Sequence, residues 1–153
     1  MKDKDYREGI LRALNREEIM TAAFTSDDYY KLGYSFLPYS SSYYTEDGVE
    51  KWDQDVEKAK KLTADGAKSL KLCYVEESTE QKNQALTVQA ELKAIGIDVE
   101  LCGVNQAAYM SAAYDQESTE YDMFLGAYVM GIDPDTFAAL VVSTKDDMLN
   151  FHN

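Results

Sequence analysis

Apolar and polar positions follow two alternating periods along this chain. Ser69 to Val75 and Ile97 to Val104 are apolar-rich runs of strand length. Between them Ala85, Val88, Leu92 and Ile95 recur at three- and four-residue intervals, the stripe of an amphipathic helix that Ser78 caps and Gly96 stops. Asn105 then caps a further helix through Ala108, Met110 and Ala112. Tyr121 to Ala127, interrupted by Gly126, reads as a third strand. Gly131 allows a sharp bend after it, Asp133 is placed to cap a helix, and Pro134 stands at its first position. Strands separated by helices of this length imply crossovers and parallel pairing. The predicted class is α/β, with a mainly parallel sheet flanked by helices.

The first half reads differently. Ile10, Leu11 and Leu14 give helical spacing to Asp5–Leu14, and Asn15 caps a second helix with Glu17 and Glu18 in its first turn and Ile19, Met20 and Phe24 along it. Asp55 caps a helix through Val56, Ala59 and Leu62, with Gly66 near its C-terminal end. Thr25 to Asp53 forms a long polar loop carrying Gly33, Pro38, Ser40–Ser42 and Gly48. Loops of that length are functional or disordered. The last ten residues, through Phe151-His152-Asn153, show neither period and read as a cut end.

A chain of 153 residues fits a single domain, residues 1–153. With 28 acidic against 15 basic residues the net charge is −13, which repels phosphate backbones and argues against nucleic acid. The one basic cluster, Lys58, Lys60 and Lys61, reads as a solvated helix face. No run approaches the roughly 18 apolar residues of a membrane span. Met1-Lys-Asp-Lys-Asp is not followed by an apolar core, so no signal peptide is expected. The chain is then either cytosolic or a fragment of something longer.

Candidate chemistry is sparse. An enzyme needs a clustered nucleophile, base or metal set, and the one histidine, His152, lies beside the apparent cut end. There is no G-x-S-x-G, phosphate loop or histidine pair. Asp133 and Asp135 lack the other ligands of a calcium loop, so we expect no enzyme, metal or cofactor. Cys73 and Cys102 match no zinc spacing and read as small buried core residues; whether they pair is open, because a disulfide needs Cα atoms within about 7 Å. Of 12 tyrosines, Tyr29, Tyr30, Tyr34, Tyr39, Tyr43 and Tyr44 fall within 16 residues. Such a cluster suits a wet recognition surface, or packs on its own rings.

Four segments together resemble the second lobe of bacterial family 5 solute-binding proteins, the receptors of oligopeptide, dipeptide and nickel ABC importers. They are Leu11-Arg-Ala-Leu-Asn-Arg-Glu-Glu-Ile19; Trp52 to Gly66 with Asp55-Val-Glu-Lys-Ala-Lys-Lys-Leu62; Glu91-Leu-Lys-Ala-Ile-Gly-Ile-Asp-Val-Glu-Leu101; and Tyr121-Asp-Met through Gly131-Ile-Asp-Pro-Asp-Thr-Phe137. Their order and spacing agree with the family over nearly the whole chain.

The resemblance implies one lobe of a type II-like periplasmic-binding-protein fold, here a C-terminal-lobe fragment. Such proteins close two lobes on a peptide or similar solute and hand it to permease subunits. They are periplasmic, or are lipid-anchored at the Gram-positive cell surface, with an anchor absent from this stretch. The alternative is a ligand-sensing domain of a transcription regulator or another non-transport module. In peptide-binding relatives an aspartate in the loop after the third strand often holds the ligand's amino group; Met130 stands there. Tyr128, Val129, Met130 and Gly131 are the implied cleft-facing residues, with Asp133 and Pro134 as a structural cap. Tyr44 in the tyrosine-rich loop and Glu77 in the acidic Glu76-Glu77-Ser78 loop complete the ligand-binding candidates.

Overall fold

The computed structural model describes residues 3–35, 37–115, 117–127 and 129. In chain order the elements are α1 (Lys4–Ala13), α2 (Arg16–Phe24), a 3-10 turn (Asp27–Tyr29), α3 (Val56–Leu62), β1 (Ser69–Val75), α4 (Thr79–Ala94), β2 (Asp98–Val104), α5 (Gln106–Tyr114) and β3 (Met123–Phe124). The sheet runs β2-β1-β3 with both pairings parallel, so the α/β class and the parallel sheet expected from the alternating periods are observed. Four helix starts follow the expected capping. The side chain of Asn15 accepts from the amides of Glu17 and Glu18, Asp55 from Lys58, Ser78 from Gln81 and Asn105 from Ala108. Gly96 sits at φ +82°, the left-handed conformation that ends α4 without a Cβ penalty.

Alternation along β1 sends Leu70, Leu72 and Tyr74 to one face, where they meet Val99 of β2. Ala85, Val88 and Leu92 of α4 cover that face, joined by Tyr6, Ile10 and Ala13 of α1 and Ala59 of α3. The α1 stripe is therefore displaced from the expected Ile10–Leu11–Leu14: Leu11 is 46% exposed, because the core lies on the Tyr6–Ile10–Ala13 side. Of the cysteines, Cys73 is fully buried as expected, whereas Cys102 on the sheet's outer strand is only half-buried.

The third strand is shorter than the Tyr121–Ala127 expected. Asp122 takes over at its start: its carboxylate accepts from the Lys71 amide at 2.9 Å while its own amide donates to the Lys71 carbonyl at 3.0 Å. A last bond, Leu125 amide to Cys73 carbonyl, closes the ladder before exposed Gly126.

Close approach of α1 to α3 needs Gly9, and its approach to the chain entering β1 needs Gly66. A Cβ on Gly66 would lie 2.0 Å from the Tyr6 ring, whose hydroxyl donates to the Ala67 carbonyl. Gly66 thus serves close packing, and the C-cap of α3 is Thr63. Glu8, 9% exposed, ties the same helices, meeting Arg12 Nε and Lys58 Nζ at 2.6 Å each. Hydrogen bonds from Lys58 and Arg12 hold its carboxyl below the usual carboxylate range. Lys58, read as part of a solvated face, is engaged in this pair.

Two outcomes follow from this packing. Gly66→Ala forces Tyr6 out of its slot and destabilises the fold by about 1–3 kcal/mol, the usual cost of overpacking, read by urea or thermal unfolding. Glu8 has a depressed folded pKa, so its stabilisation is complete above the unfolded carboxylate pKa and is lost as pH falls through the folded one. Glu8→Gln therefore lowers Tm at neutral pH, and the gap to wild type closes as pH falls through the depressed folded pKa; a pH-independent gap would assign the effect to packing instead.

Candidate functional site

Parallel strands end on the same side, and in open α/β sheets that edge is where ligands bind. The register Val75↔Val104 places the ends of β1 and β2 side by side, and Leu125–Ala127 leaves β1's other neighbour at the same edge. The rim so formed carries Glu76 and Glu77 after β1, Asn105 and Gln106 after β2, and Gly126 and Ala127 after β3, all exposed.

Local bonds fix its shape. The Ser78 amide donates to the Val75 carbonyl at 3.1 Å and the Glu76 amide to the Val104 carbonyl at 2.9 Å. Gln81 Oε1 accepts from the Val75 amide at 2.8 Å. These bonds make β1-to-α4 a tight turn that turns both carboxylates outward. Two tyrosines stand beside the strand ends, one on each face of the sheet. Tyr74 crosses β2 at Gly103, where a Cβ would come within 2.8 Å of its hydroxyl, and Tyr109 of α5 brings its hydroxyl beside Gly126. Burial pushes the Tyr109 phenol up, so it is a neutral donor and acceptor. The rim is acidic, with Glu80 on the first turn of α4; bonds from its own amide and from Ser78 hold that carboxyl low.

Of the residues singled out from the sequence, Glu77 lies on the rim, and Val129, 95% exposed, follows β3 just beyond it. Tyr128, Met130, Gly131, Asp133 and Pro134 lie outside the described residues. Tyr44 is held within its own loop: its ring stacks on Tyr39 at 4.3 Å between centroids, and its hydroxyl donates to Glu46. Burial, then that bond, push its phenol up, while Lys51 and Tyr44 bring the Glu46 carboxyl down to about 2. Tyr34 is likewise engaged, with Arg16 and Lys51 over its ring at 4.8 and 4.5 Å and its hydroxyl on Asp53. The self-packed loop is thus the arrangement seen for Tyr34, Tyr39 and Tyr44, although Tyr39 keeps about half its surface exposed, while Tyr29 and Tyr43 are more exposed still. Asn105 and Gln106 follow the predicted end of β2 and Tyr74 stands next to that of β1, a position that marks them for the rim in the sequence, whereas Tyr109 lies inside α5 and has no such signal.

A cavity of about 510 Å³ opens at the opposite edge, among Asp3, Asp5, Lys61, Asp65 and Asp122, where strands begin. Among the described residues no group of three or more His, Cys, Asp or Glu is arranged to hold a metal, and no helix is long and apolar enough to cross a membrane.

Solved structures share this arrangement. The ABC transporter substrate-binding protein CtaP from Listeria monocytogenes superposes with a TM-score of 0.89 at 36% identity, over 99% of this chain and 32% of its own. A putative peptide-binding protein AppA from Clostridium difficile gives 0.86 at 32% identity, over 95% and 30%. The oligopeptide-binding protein AppA from Bacillus subtilis, in complex with a nonapeptide, gives 0.78 at 25% identity, over 89% and 30%. The chain thus spans about a third of the length of these proteins, which have the periplasmic-binding-protein fold. Among curated proteins none matches. Residues 1–148 match the middle region of a single family, and with the parallel sheet and its strand-end rim in place the chain belongs to the bacterial extracellular solute-binding proteins, family 5.

Proposed function

We propose that this chain is one lobe, residues 1–153, of the substrate-binding component of an ABC importer, holding a peptide at the strand-end rim and delivering it to permease subunits. The observation that carries the reading is the convergence of three parallel strand ends on one exposed, acidic rim in a member of this family. The nonapeptide held by the Bacillus subtilis relative supports a peptide as the solute. Glu77 receives a cationic group such as a peptide amine, and Tyr128, Val129, Met130 and Gly131 supply backbone and apolar contact, the Met130 thioether adapting to varied side chains. Tyr44, its hydroxyl committed to Glu46, offers the ligand only its ring. Asp133 and Pro134 cap the helix that follows. The protein works outside the cytoplasm, at the cell surface on a lipid anchor or in the periplasm.

Most ligand burial in a two-lobe receptor comes from closure. Calorimetry should therefore find tight peptide binding by the whole receptor and no better than millimolar binding by this chain alone; tight binding by the single chain contradicts the two-lobe reading. Met130→Asp in the whole receptor restores an amine-anchoring carboxylate. A charge-assisted hydrogen bond is worth about 1.5–3 kcal/mol, so the preference for free over N-acetylated peptides rises roughly tenfold or more. A lowered Tm with unchanged selectivity would instead place Met130 in the lobe's interior.

A further inference from the structure

Cys73 of β1 and Cys102 of β2 are direct partners in the parallel ladder. Because Leu70, Leu72, Tyr74 and Val99 take the core face, the alternation puts both cysteines on the other face, in one row with Phe124 of β3. Adjacent strands lie about 4.7–4.9 Å apart, within the Cα separation of about 4.4–6.8 Å that a disulfide spans. Both are free thiols in the structure. Tyr109 closes the row from α5, meeting Phe124 edge-on at 5.9 Å. Cys73 is thereby sealed, and Cys102 stays half-open to solvent. The family is extracellular, and disulfides persist in such oxidising surroundings.

We propose that Cys73 and Cys102 form a cross-strand disulfide that staples β1 to β2 once the protein meets an oxidising exterior. The oxidant is a small disulfide such as oxidised glutathione. The Cys102 thiolate attacks one of its sulfurs and releases the first glutathione thiol, leaving a mixed disulfide on Cys102. The Cys73 thiolate then attacks the Cys102 sulfur and expels the second. Two cysteine protons end on the two glutathione thiols, and two electrons pass from the cysteines to the glutathione disulfide. Burial pushes both thiols up, Cys73 to about 11, and the half-open Cys102 is the one a small disulfide can reach first. The bond lies just below the rim, so it fixes the spacing of the Glu76–Glu77 and Asn105 turns.

The test uses the whole exported protein, its thiols trapped by acid, denatured without reductant and treated with iodoacetamide. The expected result is no alkylation of either cysteine, a mass lower by two hydrogens than the reduced protein, and a tryptic cross-link joining Leu72–Lys82 to Ala94–Lys145. Adding reductant should lower the wild-type Tm by several degrees and leave that of Cys102→Ser unmoved. Two alkylated cysteines in the unreduced protein, or a bond joining two chains, overturns the proposal. Peptide binding is read separately, so loss of the disulfide reading leaves the receptor reading standing.

Discussion

Everything described here hangs on β1, which is paired in parallel on both edges. A parallel strand cannot be reached by a tight hairpin, so each neighbour arrives through a helical crossover. Both crossovers, α4 and α5, must then pack on the sheet. The consequence for function is direct: three strands point the same way, and their following loops gather at one edge. The rim is a product of parallel pairing before it is a product of any particular side chain.

The two faces of the sheet are covered unequally. On the core face α4 buries Ala85, Val88 and Leu92, and α1 and α3 add Tyr6, Ile10, Ala13 and Ala59. That layer tolerates little change: a Cβ on Gly9 would lie 2.7 Å from Thr63 Cγ2, and one on Gly66 would strike the Tyr6 ring. The other face has α5, which buries only Ala113 and leaves Met110 and Tyr114 about 40% exposed. There the Tyr109, Phe124 and Tyr121 rings pack edge to face over the cysteine row.

Polar groups hold the helical layers in place. Glu91 of α4 accepts from the Asn15 amide at 3.0 Å, fixing the start of α2, and burial raises its carboxyl above the usual range. Its second oxygen is buried without a partner, as is the indole nitrogen of Trp52. Both residues belong to segments that carry the family resemblance. Glu91 joins two elements far apart in sequence, α4 and the start of α2. The tyrosine-rich loop is ordered in a similar way, by cations over rings and phenols on carboxylates instead of by helix or strand.

Element identity was legible in the sequence because its causes are local. A capping side chain bonds amides two or three residues on, and helical and strand periods are properties of short windows. The caps at Asn15, Asp55, Ser78 and Asn105, the stop at Gly96 and the alternation of β1 and β2 all depended on near neighbours. The family was legible because four such windows stand in one order. What the tertiary structure alone decided involves residues brought together across the fold. The α1 stripe turned toward Tyr6 because α3 and the sheet lie on that side. Gly66 faced a ring some sixty residues away. Cys73 met Cys102 because ladder register, set by packing of the whole sheet, aligned them. Tyr34 met the Arg16 guanidinium and the Asp53 carboxylate because α2 and the chain before α3 come to rest beside its loop. Such contacts depend on where distant segments come to rest, and no periodicity within a single segment encodes that.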